Sequence, residues 1–231
     1  MENIVKTKIV VTILNKDKVD TVVKIFKKNN ISYSYSINGI GTASSSLLSY
    51  FGLDEIKKEI IVSIVPCVLE TKIMYLLHND YEIYKPGNGI SFSIPITSAS
   101  RYLSTVYESV GNQKEEYKIM NDKEYELIVL IAKEGYASIA MDAAKRVGAG
   151  GGTLIKGIGL GSQEATKLLG ITIEPEKDIV LILTEKNEKH KVMKEVTENV
   201  GLSHEGRGIM FSLPVDDVVG LTDKINFSKI S

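Results

Sequence analysis

The sequence predicts an α+β fold in which one β-α-β-β-α-β unit is written twice, each copy an antiparallel sheet with both helices on one face. Three observations carry this. Short β-branched runs alternate with segments whose apolar residues recur at helical spacing. The order of these segments returns after a polar stretch near the middle of the 231 residues. The return keeps a nearly constant offset: Gly39-Ile40-Gly41 meets Gly157-Ile158-Gly159 at 157 − 39 = 118.

Lys8 to Leu14 is rich in β-branched residues and short, the pattern of a buried strand. Val19, Val22, Val23 and Phe26 then lie on one face of a helix, with Lys24, Lys27 and Lys28 toward its C-terminal end, where cations suit the helix dipole. Asn29-Asn30 stops it. Ile31 to Asn38 alternates serine with Tyr33, Tyr35 and Ile37, a second strand, and Gly39-Ile40-Gly41 opens a polar loop reaching about Lys58. Ile60 to Val65 is a third strand that Pro66 ends. Leu69, Ile73, Met74 and Leu77 form a second helical face, and the turn Pro86 to Gly89 leads into a last strand, Ile90 to Ile96.

Residues 1–100 are therefore read as the first domain. Residues 101–122 are a linker, with a short helix at Tyr102 to Val110. Residues 123–231 are the second domain. The 118 offset carries Ile9, Val11 and Ile13 onto Leu127, Val129 and Ile131, and Val19, Val22, Val23 and Phe26 onto Ala137, Ala140, Met141 and Ala144. After one inserted residue, Gly87-Asn88-Gly89 meets Gly206-Arg207-Gly208. A β-α-β-β-α-β unit of about 90 residues is the ferredoxin-like arrangement. Its uncovered sheet face and edges favour association.

Composition narrows the function classes. The chain is 43% hydrophobic and 25% charged, ordinary for a globular protein. Its 28 basic and 29 acidic residues leave a net charge of −1, with no basic field to attract nucleic acid. Cys67 is the only cysteine and sits in an apolar stretch, so it reads as structural. The N-terminus lacks a signal-peptide pattern, no apolar run is long enough to span a membrane, and a cytoplasmic protein is expected. His78, His190 and His204 show no metal-ligand spacing. No catalytic residue set is identifiable.

The densest feature runs from Val147 to Ser162, where seven of the nineteen glycines fall. It is neither a Walker loop nor a dinucleotide fingerprint. Two readings stand: a tight turn with a bent strand, or a cradle of backbone N–H groups for an anion.

The second copy, about Glu124 to Leu221, resembles the nitrogen-regulatory P-II signalling family, particularly its divergent P-II-like branch. The resemblance rests on Gly148-Ala-Gly-Gly-Gly-Thr153, Lys156-Gly-Ile-Gly-Leu-Gly161 and Gly206-Arg-Gly-Ile-Met-Phe211 with Pro214-Val-Asp216. It implies a non-catalytic sensor that needs no cofactor, is trimeric, and takes a ligand between subunits, usually an adenine nucleotide (ATP, ADP, AMP or a cyclic nucleotide). The implied ligand walls are Lys156, Gly157, Gly159, Gly161 and Ser162 on one side, and Gly206, Arg207 and Gly208 on the other. A long, mobile T-loop, here Gly159 to about Lys177, would dock on a partner such as a transporter or metabolic enzyme. The B-loop would be Gly201 to Gly208. Leu160 and Ile209 stand where better-known members carry arginine and lysine, and no T-loop tyrosine for uridylylation is evident in this copy. In the first copy Tyr33-Ser34-Tyr35 replaces Gly151-Gly152-Thr153 and Asn88 replaces Arg207, so it reads as mainly structural. The alternatives are a hydrolase or isomerase using His204 and Glu205, and a trimeric metal-binding protein.

Overall fold

The computed structural model describes residues 6–42, 56–111, 117–120, 123–160, 166–168, 171–173, 175–221 and 225–229. It is a mixed α+β protein with antiparallel sheets. Two compact units divide the chain, Met1–Asn38 with Lys58–Tyr125 and Pro214–Ser231, and Gly39–Lys57 with Glu126–Leu213.

The first unit is built on β1 (Thr7–Asn15), α1 (Val19–Lys28), β2 (Tyr33–Gly41), β3 (Ile56–Pro66), α2 (Cys67–Asn79) and β4 (Ile90–Pro95). β1 is central and antiparallel to both β3 and β4, and the strand order is β2-β3-β1-β4. α1 forms because Val22 and Phe26 stand one turn apart and reach the same core. It stops at Asn29, whose side-chain amide donates to the Ile25 carbonyl, and Asn30 turns the chain at φ 60°. α2 buries Leu69, Ile73, Met74 and Leu77 against Val10, Leu14, Ile61 and Val65. The buried hydroxyls between them are paired, Thr12 with Ser91 at 2.9 Å and Ser34 with Ser63 at 2.8 Å.

The second unit repeats the order with β6 (Tyr125–Lys133), α5 (Ala137–Arg146), β7 (Thr153–Ile158), β10 (Glu176–Glu185), α6 (Lys189–Val200) and β11 (Ile209–Val215). Its strand order is β11-β6-β10-β7. α5 presents Ala137, Ala140, Ala143 and Ala144, small side chains that let its backbone lie close to Ile128, Leu130, Val180 and Ile182. Ile40 and Gly41, the last residues of β2, pair with Leu154 and Thr153 along the outer side of β7.

Three sequence expectations are corrected. The span read as a linker carries α3 (Arg101–Val106), α4 (Glu108–Gly111) and β5 (Tyr117–Met120), and belongs to the first unit. Tyr107 anchors it: its ring is buried and its hydroxyl donates to the Ile64 carbonyl at 2.7 Å. Residues 214–231, assigned from sequence to the second domain, also join the first unit. There β12 (Val218–Val219) extends the sheet beside β4, and β13 (Asn226–Lys229) pairs with β5. The span from Gly159 to Lys177, read as a loop, includes the antiparallel pair β8 (Thr166–Leu168) and β9 (Ile171–Ile173). Among the described residues no helix is long and apolar enough to cross a membrane, and no group of His, Cys, Asp and Glu could hold a metal ion.

The C-terminal segment is clasped to the first unit by charge. Lys8 Nζ lies 3.4 Å from Glu70, 3.1 Å from Asp216 and 3.8 Å from Asp217. One ammonium cannot neutralise three carboxylates. Burial, with Glu70 close by, pushes the Asp217 carboxyl up to about 7. Because the folded state holds this proton more tightly than the ordinary carboxyl at 3.8, stability is highest below that value and falls as pH rises toward 7. Asp217→Asn keeps a hydrogen-bonding group without the charge. It should raise stability at pH 8 by on the order of 1–2 kcal/mol and flatten the pH 5 to 8 profile of the melting temperature. A variant whose profile keeps the wild-type slope would place the titration elsewhere.

Candidate functional site

The loop after α6 is held by close backbone contacts. Gly208 N donates to the Val200 carbonyl at 2.7 Å, and Lys133 N, at the end of β6, donates to the Gly206 carbonyl at 2.8 Å. A Cβ on Gly206 would stand 2.6 Å from Val200 Cγ1 and 2.7 Å from the Tyr136 ring. On Gly208 it would stand 2.7 Å from the Val200 carbonyl oxygen. Both glycines are therefore required for packing. The residue between them, Arg207, is exposed and has φ 44°, the left-handed region that side chains avoid. Its backbone N–H closes a turn onto the His204 carbonyl at 3.0 Å. The side chain is thus projected outward from a backbone fixed on both sides.

Beside this loop, the turn from β6 into α5 supplies Glu134 and Tyr136. Tyr136 donates its hydroxyl to Glu205 at 2.9 Å, and this bond pushes the tyrosine up from its ordinary range. Glu205, weighed from sequence as half of a catalytic pair with His204, is engaged by Tyr136, while His204 is exposed.

On the far side of the unit, Lys156 sits within β7. Its ammonium lies 2.9 Å from Asp178 and 3.2 Å from Glu134. The hydrogen bond to Asp178 is the main cause that raises the Lys156 ammonium above its ordinary value. Asp178 is 1% exposed, and its other oxygen accepts from the backbone amides of Gly135 and Ala137 at 2.9 and 3.0 Å. Lys156, expected to face a ligand, is instead drawn to two carboxylates.

Gly157 lies in β7 beside Ile179, and the Gly159 amide donates to the Pro175 carbonyl at 2.9 Å. Gly161 and Ser162 lie outside the described residues. Within the Val147 to Ser162 stretch read as a cradle, the Gly152 backbone is filled by the chain itself. Thr42 Oγ1 accepts from the Gly152 amide and donates to the Gly152 carbonyl, both at 2.9 Å.

The two expected walls do not meet within the unit. β7 and β11 are its outer strands, with β6 and β10 between them, so three spacings of ~4.8 Å separate Gly157 from Gly208. What the fold brings together is Glu134, Lys156 and Asp178 on one side and Tyr136, Glu205 and the Arg207 loop on the other, joined through the β6–α5 turn. Asp178 and Tyr136 escaped sequence reading because their partners lie about forty or more residues away; the one local signal was an acid at the mouth of the apolar run Ile179 to Leu183. Cys67 is half-buried at the start of α2, and burial pushes its thiol up, away from reactivity.

No known protein family matches the chain, and no curated protein does. Among solved structures, the PII protein of Arabidopsis thaliana, determined with citrate bound, is similar at 20% identity and a TM-score of 0.32, over 42% of this chain and 79% of that one. Aspartate kinase from Synechocystis is similar at 9% identity and a TM-score of 0.29, over 90% of this chain and 43% of that one. A mutant chlorite dismutase from Candidatus Nitrospira defluvii follows at 7% identity and a TM-score of 0.24, over 92% of each chain. These scores are low, and what this chain does is read from its own residues.

The Asp178 geometry makes a prediction. Asp178→Ala, which strips two helix-start amides and an ammonium of their acceptor, should cost about 2–4 kcal/mol in urea unfolding. Lys156→Met should cost about 1 kcal/mol, since the ammonium is nearly half exposed. Equal stability of Lys156→Met and wild type would show that the pair is incidental.

Proposed function

We propose that this chain is a cytoplasmic, non-catalytic regulatory protein of the P-II-like kind, made of two tandem ferredoxin-like units. Its second unit binds a small anion, with an adenine nucleotide the first candidate. The observation that carries this reading is Arg207. Holding a side-chain-bearing residue in the left-handed region costs on the order of 1 kcal/mol, a cost glycine would avoid. The loop keeps arginine at that position while glycines flank it on both sides, and the exposed guanidinium is the cation this loop can offer an anion. A guanidinium beside backbone donors suits phosphate oxygens, which it binds with charge-assisted, two-pronged hydrogen bonds.

The first unit supports the contrast. In its matching turn the glycines take the left-handed angles, Gly87 at 85° and Gly89 at 120°, and Asn88 donates to the Glu82 carbonyl at 3.1 Å. That turn closes on itself: Glu82 takes the left-handed region at φ 55°, and the turn's cation, Lys85, is paired with it. The repeated β-α-β-β-α-β order, and the equal offset of β1 from β6 and of α1 from α5, support descent of both units from one duplicated unit.

Because the β7 glycines and the Arg207 loop stand at opposite edges of the second unit, a ligand touching both needs a second copy of the chain. A homotrimer with ligand between subunits meets that need. The span Gly159 to Lys177, next to one wall, is the element that would report binding to a transporter or metabolic enzyme, by ordering when ligand is present. Lys156 stays with its carboxylates in this scheme. Light scattering should return a mass above that of one chain; a monomer at every concentration would remove the inter-subunit site.

The test of the anion site is a melting-temperature screen with ATP, ADP, AMP and cyclic nucleotides, paired with a turnover assay that should show the nucleotide unchanged. A ligand at 100-fold its dissociation constant adds about 2.7 kcal/mol, roughly 5–10 °C here. Arg207→Ala should lose most of that shift, since one charged hydrogen bond is worth about 1.5–3 kcal/mol. Arg207→Gly should lose it too, yet melt about 2–4 °C higher than wild type without ligand, because backbone strain is relieved. Lys156→Met and Asn88→Ala should keep the shift. A full shift in Arg207→Ala would sink the assignment.

A further inference from the structure

The first unit holds its C-terminal segment through a cluster with more carboxylates than cations. Lys8 Nζ of β1 stands between Glu70 of α2, at 3.4 Å, and Asp216 and Asp217, at 3.1 and 3.8 Å, just ahead of β12. Burial works against the Lys8 ammonium, but Glu70, Asp216 and Asp217 outweigh it and hold its value above the ordinary one, so it stays charged. Asp216 reaches solvent. Glu70 does not: it is 2% exposed. Its Oε2 faces Lys8 and, at 3.3 Å, the Thr71 hydroxyl, while its Oε1 has no donor among the described residues. A buried carboxylate oxygen in that position is destabilising unless a donor reaches it.

Asp217 is placed beside Glu70 by its own backbone, which β4 fixes. Ser93 N donates to the Asp217 carbonyl at 2.9 Å, the Asp217 amide donates to Ser93 Oγ at 3.2 Å, and the Asp216 amide donates to the Ser93 carbonyl at 3.0 Å. The side chain so held forms a hydrogen bond with Glu70. Two ionised carboxylates cannot make that bond, since both only accept; one proton between them turns the pair into a donor and an acceptor. The other charged groups acting on Asp217 are Lys8 from β1 and Asp216 from its own segment, while α2 adds the Cys67 thiol near Lys8 and Glu70, and β4 contributes the Ser93 hydroxyl. We propose that Glu70 and Asp217 share one proton, and that this proton is the catch that holds β12 and the residues before it on the first unit, a latch that tightens below neutral pH and loosens above it.

What the catch holds down is apolar. Val218 and Val219 are 2% and 0% exposed, Val219 lies in the core of the unit, and Val218 pairs with Phe92 of β4. Loss of the proton sets two negative charges side by side, with one ammonium among three carboxylates. The weakest hold near that charge is β12, two residues long, whereas β1 and β3 pair from Thr7 to Asn15. Repulsion therefore opens the segment before it disturbs the sheet. The Asp217 carboxyl, at about 7 in the fold against 3.8 for an ordinary one, is raised, so its contribution is present at low pH and is lost as pH rises through about 7. From pH 6 to pH 8 the closed-to-open ratio of the segment falls about tenfold. The Arg207 loop plays no part in this, and either assignment can fail without the other.

The test is amide exchange on the full chain, expressed as protection factors so that the intrinsic pH dependence of exchange is removed. Between pH 6 and pH 8 the amides of Ser93, Asp216 and Asp217 should lose about tenfold in protection, while Val10 to Thr12 in β1 keep theirs. Glu70→Gln and Asp217→Asn each put a permanent donor where the proton stood, and each should hold the segment at pH 8 as wild type holds it at pH 6. Carbon NMR of the Asp217 carboxyl reads the proton itself: it should titrate near pH 7 in wild type, and at lower pH in Glu70→Gln. Unchanged protection between pH 6 and pH 8, or an equal fall in Asp217→Asn, overturns the proposal. So does a fall shared evenly by β1 and β3, which is loss of the whole unit and not the opening of a latch. An Asp217 carboxyl that titrates at the same pH with and without Glu70 would remove the shared proton.

Discussion

The second unit depends on one buried carboxylate. Asp178 begins the buried part of β10, and its two oxygens do different work. One accepts the amides of Gly135 and Ala137 that open α5; the other holds Lys156 of β7. A single side chain therefore fixes the start of a helix to two neighbouring strands. It also satisfies donors that a helix start leaves without partners. The alanine-rich face of α5 can lie close to the sheet only if its first turn is seated this way. The β6–α5 turn that carries Tyr136 is placed by the same contact, and Tyr136 in turn meets Glu205 and packs on Gly206.

From that turn the constraint passes to the Arg207 loop. Gly206 and Gly208 are glycines for lack of space, with Val200 and Tyr136 too near for a Cβ. Glycine at such positions is often taken as a sign of ligand contact. Here the contact is with the protein's own backbone and ring. The informative residue is the one that breaks the local rule, Arg207, whose left-handed backbone the sequence could not reveal. Strain at one residue between two packed neighbours is a sharper sign of use than the glycines themselves.

Much of the architecture was legible because it is written in local periodicity. The strands at Lys8, Ile60 and Ile90 and the helices around Phe26 and Ile73 have apolar spacing that leaves little choice. The parts that escaped are closed by distant partners. β5 is four residues long and earns its place only through β13, more than a hundred residues later, with Tyr75 stacked on Tyr117 at 4.3 Å. Val218 and Val219 look like a tail until β4 is beside them. At the candidate site the glycines and Arg207 were singled out from sequence. The diversion of Lys156 to Asp178, and the filling of the Gly152 backbone by Thr42, were not, since both depend on side chains brought together by the fold.

The two units use their polar groups differently. In the first, hydroxyls lie between sheet and helices, the turn around Asn88 closes on itself, and a charged clasp recruits the C-terminal segment. All of these spend polar groups on holding the unit together. In the second, alanines and valines fill the core, and Arg207 is exposed in the loop before β11.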